Sequence, residues 1–112
     1  MTEVTTMSEG TEYENERRED SNTIFVGSRP FMNYVTGVVM QFTTQGATEV
    51  CVKARGKFIS RAVDIAEVTC KRFLEGQIEV KNIRINSEEF TNNENRLVRV
   101  STIEVFLGKK SQ

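Results

Sequence analysis

The chain has no histidine, no tryptophan, a single proline and two cysteines in 112 residues. Without histidine it lacks the commonest general base at neutral pH and the commonest zinc ligand. Two cysteines make no disulfide framework. Cys51 falls in a strand pattern and Cys70 in a helical one, as small reduced residues do. No apolar run approaches the roughly 20 residues that span a bilayer. The amino terminus is acidic and lacks the apolar stretch of a signal peptide, so a cytoplasmic protein is expected. No glycine-rich loop of the nucleotide-hydrolysing type is present. Asp64 and Glu67 share a helix, but no nucleophile or further acid completes a catalytic set, and they are expected to pair with bases such as Arg61 or Lys71. Glu79, Glu88 and Glu89 follow no metal-ligand pattern. The expectation is a non-enzymatic protein with no cofactor, no metal and no membrane partner.

What is present is segregated charge. The net charge is −1. Residues 1–22 carry seven acids and two bases, a balance of −5, whereas residues 23–112 carry nine acids and thirteen bases, a balance of +4. An acidic tail thus masks a basic domain, which points either to a polyanion partner or to a solubilising tail on an ordinary domain. The tail is poor in apolar residues and is expected to be disordered. It could also fold back over the basic domain and compete with a polyanion. Residues 23–110 form the one domain that this length allows, and 111–112 close the chain.

Along that domain the pattern reads β-α-β-α-β-β. Thr23-Ile24-Phe25-Val26 is a short buried strand. Pro30 suits the first turn of a helix in which Phe31, Val35, Val38, Val39 and Phe42 recur at helical spacing, and Gly46 ends it. In the second strand, Glu49 to Arg55, Val50, Val52 and Ala54 point inward, and Glu49, Cys51, Lys53 and Arg55 share the other face. A second helix spans Ser60 to Leu74, with an apolar stripe of Ile59, Ala62, Val63, Ala66, Cys70 and Phe73. Two more strands follow. Ile78 and Val80 lie on one parity and Ile83 and Ile85 on the other, which implies a bulge near Lys81-Asn82. Leu97 to Leu107 is the last strand, and Asn86 to Arg96 reads as a long polar hairpin tip between the two. The expected fold is α+β: a four-stranded mixed sheet with two helices on one face and a projecting β3–β4 hairpin arm.

The run Lys53-Ala54-Arg55-Gly56-Lys57 sets three cations at alternate positions with no acid inside it. Such a row suits a phosphate backbone, and a solvated sheet face is the ordinary alternative. Arg29 precedes a helix N-terminus, where free N–H groups favour an anion. Arg84, Arg96 and Arg99 flank the hairpin tip, as groove contacts or as edge-strand charges that deter aggregation. Phe90 near the tip reads as arm packing or as a wedge between bases.

Three blocks taken together resemble the Alba family of small archaeal chromatin proteins. They are Gly27-Ser28-Arg29-Pro30-Phe31-Met32-Asn33-Tyr34-Val35, Lys53 through Glu67, and Val100-Ser101-Thr102-Ile103-Glu104-Val105. The resemblance covers residues 23–110. It implies a fold similar to the C-terminal domain of a translation initiation factor. It also implies a homodimer that binds double-stranded DNA with little sequence preference, associates with the chromosome and compacts it, and binds RNA as well. An RNA-centred role, as a chaperone or as a subunit of an RNA-processing complex such as ribonuclease P, is the alternative. On this resemblance the nucleic-acid contacts fall to Arg29, Lys53, Arg55, Lys57, Arg96 and Arg99, and Phe73 packs dimer against dimer. The family usually carries two lysines before its proline. Here those positions are Ser28 and Arg29, so the lysine that can be acetylated in the family is absent.

Overall fold

The computed structural model describes residues 22–110. The acidic tail, apart from Asn22, and the last two residues lie outside the described residues, and so does the expectation of disorder in that tail. The elements run β1 (Thr23–Phe25), α1 (Phe31–Thr43), β2 (Glu49–Arg55), α2 (Ile59–Val68), β3 (Ile78–Thr91) and β4 (Leu97–Lys109). This is the α+β order read from the sequence. The sheet order is β1-β2-β4-β3, with β1 parallel to β2 and the other pairs antiparallel.

Both helices lie against one face of the sheet. Val50, Val52 and Ala54 of β2 meet Ile103, Val105 and Leu107 of β4, and all six are buried. Val35, Val38 and Phe42 of α1 and Ala62, Ile65 and Ala66 of α2 close over them in one core. Each fully buried aliphatic side chain here stabilises the fold by about 1.5–3 kcal/mol. α1 ends as expected. Thr44 and Gln45 donate their N–H groups to Met40 O, and Gly46 takes a left-handed φ of 74° that a side chain would strain.

The buried stripe of α2 differs from the sequence reading. Ile65 and Thr69 are fully buried, whereas Val63 is 43% exposed and Phe73 50% exposed. The helix is also not uniform. A 3₁₀ turn at Gly56–Phe58 leads into it, and a π-turn at Thr69–Phe73 follows, closed by Leu74 N–H donating to Thr69 O at 2.9 Å. The wider turn rotates the last residues relative to a 3.6-residue period, so Phe73 faces solvent and Leu74 enters the core.

The expected bulge is present. Val80 pairs with Leu107 and Asn82 with Phe106, leaving Lys81 as the extra residue. The hairpin differs from expectation in one respect. Residues 86–91 are not part of an open tip but paired strand, and the ladder continues from Ile78 to Thr91↔Leu97. Only residues 92–96 turn. There Asn92 Oδ1 accepts from the N–H groups of Glu94 and Arg96, and Asn95 has a positive φ of 66°. Arg55, the last residue of β2, lies opposite Thr102. Beyond that level β3 and β4 pair as strands only with each other, and this two-stranded arm is included in the overall extents of 51 × 26 × 25 Å.

Candidate nucleic-acid interface

A parallel β1–β2 pair followed by a helix after each strand brings both helix N-termini to the same end of the sheet. The arm leaves from that end as well. No acidic residue occupies the first turn of α1 or α2, so the partial positive charge of both helix starts is uncompensated within those turns. Arg29 sits in the loop before α1, and Lys57 in the 3₁₀ turn before α2. Gly56 has φ of 61°, a left-handed conformation that lets β2 turn sharply into that helix. The turn by itself is a sufficient reason for a glycine at this position.

The loop of residues 27–30 is held from two sides. The Tyr34 hydroxyl accepts from the N–H groups of Gly27 at 2.9 Å and Arg29 at 3.0 Å. Arg61 Nη1 donates to Gly27 O at 2.7 Å, and its guanidinium lies 5.8 Å from the centroid of the Tyr34 ring. Arg61 therefore ties the start of α2 to the β1–α1 loop and fixes where Arg29 stands. Sequence reasoning assigned Arg61 only a possible helix-surface pair. Nothing local marks its partner, because Gly27 is 34 residues away. Tyr34 carried one available signal, its place one turn after Pro30 in the first block.

Lys53 and Arg55 lie on the helix-free face, as the strand alternation required, but they are not unpaired. Lys53 Nζ is 3.4 Å from Glu104 Oε2, and Arg55 Nη2 is 3.3 Å from Glu88 Oε1. Arg84 Nη1 meets the same Glu104 at 3.2 Å. The partners come from β3 and β4, so a scan of neighbouring residues could not find them. The Arg55 pair is half-exposed and the two pairs on Glu104 are partly exposed on their cationic side, so each is worth about 1 kcal/mol or less and a strand of phosphates can compete for the cations. Lys57 Nζ lies 5.5 Å from the Phe58 ring centroid. Among the described residues no carboxylate pairs with the side chains of Arg29, Lys57 or Arg96.

On the arm, Arg99 is engaged by Glu89, with Nη2 at 2.6 Å and Nε at 3.2 Å from the same oxygen. Arg96 lies in the turn at the tip, and its own N–H is used to close that turn. Phe73 is exposed at the end of the π-turn that follows α2, away from the cationic end. The structure thus brings Arg29, Lys53, Arg55 and Lys57 together, puts Arg96 and Arg99 on the arm, and leaves Phe73 apart.

Two thiols complete the titratable inventory. Cys51 is buried on the helix-free side between β1 and β4. Partial burial, reinforced by the Glu67 charge, pushes the Cys70 thiol above its ordinary pKa. Glu79 is held below the ordinary carboxylate range by its hydrogen bond from Lys81. Among the described residues no group of histidine, cysteine or carboxylate side chains could hold a metal ion, and no helix is long and apolar enough to cross a membrane.

Fold and site together define a small α+β protein in which cations, two helix N-termini and a β-arm converge at one end of the sheet. The family model named Alba matches residues 22–87. The chain is 52% identical over 89 residues to DNA/RNA-binding protein Alba 1 of Archaeoglobus fulgidus, an alignment spanning 80% of this chain and 97% of that protein. It is 56% identical over 88 residues to DNA/RNA-binding protein Alba of Nanoarchaeum equitans, spanning 78% and 97%. The structure of Alba from Thermoplasma volcanium superposes with a TM-score of 0.71 at 42% identity, covering 78% of this chain and 99% of that one. ALBA1 from Trypanosoma brucei, at 24% identity and a TM-score of 0.57, shares the fold over 80% of this chain and 70% of its own. The chain belongs to the Alba family.

Proposed function

We propose that this protein is a non-enzymatic, dimeric nucleic-acid-binding protein that coats double-stranded DNA with little sequence preference, compacts the chromosome and also binds RNA. The observation that carries this reading is the convergence of Arg29, Lys53, Arg55 and Lys57 with two acid-free helix starts, beside an arm bearing Arg96 and Arg99. Phosphates provide most of the affinity in such an arrangement, because displaced counterions drive binding whatever the bases are. The arm is long enough to lie along a groove. Relatives at 50–56% identity are named DNA/RNA-binding proteins, which supports both ligands. Exposed Phe73, remote from the cationic end, is the residue assigned to packing between dimers along the nucleic acid. Association with the nucleoid in the cytoplasm follows from this reading.

A gel-shift titration of a 20-base-pair duplex and a structured RNA at two salt concentrations tests it. A dimer engaging about six phosphates gives a slope of log K against log salt near −5. Replacing Lys53, Arg55 and Lys57 together by Glu in a folded protein should abolish binding to both ligands. Wild-type affinity in that variant would refute the assignment. Strong preference for RNA at matched salt would favour the RNA-centred role, as a chaperone or ribonuclease P subunit. Sedimentation of the free protein reports the dimer.

A further inference from the structure

The helix-free face of the sheet carries more than cations. One row crosses all four strands: Phe25 on β1, Lys53 on β2, Glu104 on β4 and Arg84 on β3, each the direct cross-strand partner of the next. The adjacent row contains Phe106, opposite Cys51 and Asn82. The bulge at Lys81 is what turns Arg84 to this side, since without the extra residue the parity of β3 would send it to the helix face. Phe25 is 49% exposed although its strand is only three residues long. Lys53 Nζ stands 5.7 Å from the Phe25 ring centroid, and the Arg84 guanidinium 5.3 Å from that of Phe106. Phe25 and Phe106 are two strands and one row apart, roughly 12 Å by ordinary sheet spacing. The same parity continues into the arm at Phe90, which is also exposed.

We infer that this face is a stacking platform for the bases of single-stranded nucleic acid, which shares Lys53 with the duplex contacts at the end of the sheet and adds the Phe25 and Phe106 rings that a duplex does not use. The inference rests on the polyanion reading above. Aromatic rings interleaved with cations suit a ligand that presents flat π-faces and negative charge together, which a single strand does and a duplex, with its bases already stacked, does not. A flat apolar protein surface is a poorer occupant, because covering the Lys53–Glu104–Arg84 row would strip water from three charges at once. A phosphate chain instead replaces Glu104 as the partner of Lys53 and Arg84 while bases lie on Phe25 and Phe106.

Fluorescence anisotropy with a 15-nucleotide oligothymidylate and a 15-base-pair duplex tests this on the full chain. Phe25→Ala should weaken oligothymidylate binding about tenfold, leave duplex binding within twofold, and leave the oligomeric state unchanged, whereas Phe25→Tyr should retain wild-type affinity. Phe106→Leu, which keeps apolar volume against the sheet, should also selectively weaken the single strand. Equal losses for both ligands, an altered oligomeric state, or unchanged single-strand affinity in both variants would overturn the platform while leaving the polyanion reading intact. A wild-type protein that binds neither ligand at low salt would instead defeat that reading, and the platform with it.

Discussion

Glu104 restrains two of the cations on the helix-free face, and removing its charge should strengthen nucleic-acid binding. Its carboxylate is 3.4 Å from Lys53 and 3.2 Å from Arg84, and its side chain is 21% exposed. In Glu104→Gln the shape is kept and both cations lose their anion. A phosphate settling on Lys53 would lie roughly 6 Å from the deleted charge. The repulsion removed is then about 0.5–1.5 kcal/mol, between the limits of bulk water and a protein surface after salt screening. Affinity for duplex DNA should rise about twofold to tenfold at 50 mM salt, and the gain should shrink as salt increases. The slope of log K against log salt should steepen by up to about one unit as the freed cations meet phosphate. Both pairs are partly exposed, so the fold should lose about 1 kcal/mol or less. Anisotropy titrations of wild type and variant across a salt series measure these quantities. Unchanged or weaker binding at every salt concentration, with the fold intact by circular dichroism, would refute the electrostatic account of this face.

Arg61→Ala removes the donor to Gly27 O and the stack on Tyr34, so it should cost about 1–2 kcal/mol and lower the melting temperature by several degrees; it should also weaken duplex binding through a loosened Arg29 loop, and a variant indistinguishable in both assays would remove Arg61 from the site. Leu107→Ala, at a fully buried position in β4, should cost about 2–5 kcal/mol in urea unfolding, and a loss below 1 kcal/mol would contradict the packing described. Deleting residues 1–22 removes a charge of −5 and should tighten DNA binding at low salt; equal affinity across a salt series would show that the tail does not compete. The raised pKa of Cys70 has a definite sign: the folded state keeps the proton more tightly, so its contribution to stability is complete below the ordinary thiol pKa, about 8.5, and is lost as pH rises past it. Alkylation of Cys70 by iodoacetamide at pH 8 should accordingly be slower in the folded chain than after unfolding, and equal rates would contradict the burial that causes the shift.

Periodicity and chain order determined much of this protein without any structure. Alternation in 49–55 and the 3.6-residue pattern in 31–42 gave the right elements and the right inner face. Opposed parities across Lys81 located the bulge, because a side-chain period of two cannot reverse without an extra residue. The row of cations at 53, 55 and 57 was readable from its spacing and Arg29 from its place before a helix, whereas it was the resemblance to the family that joined them into one expected site. Only the tertiary structure decided who faces whom. Glu88 and Glu104 reach Arg55 and Lys53 across strands paired over 30 to 50 residues of sequence, and Arg61 reaches back to Gly27. The π-turn exposing Phe73 follows from how Thr69 and Leu74 pack. Local sequence reports which faces an element has, because that depends on a residue and its near neighbours. Cross-strand ion pairs and anchoring hydrogen bonds depend on register and on the closure of the sheet, and these exist only once the chain has folded.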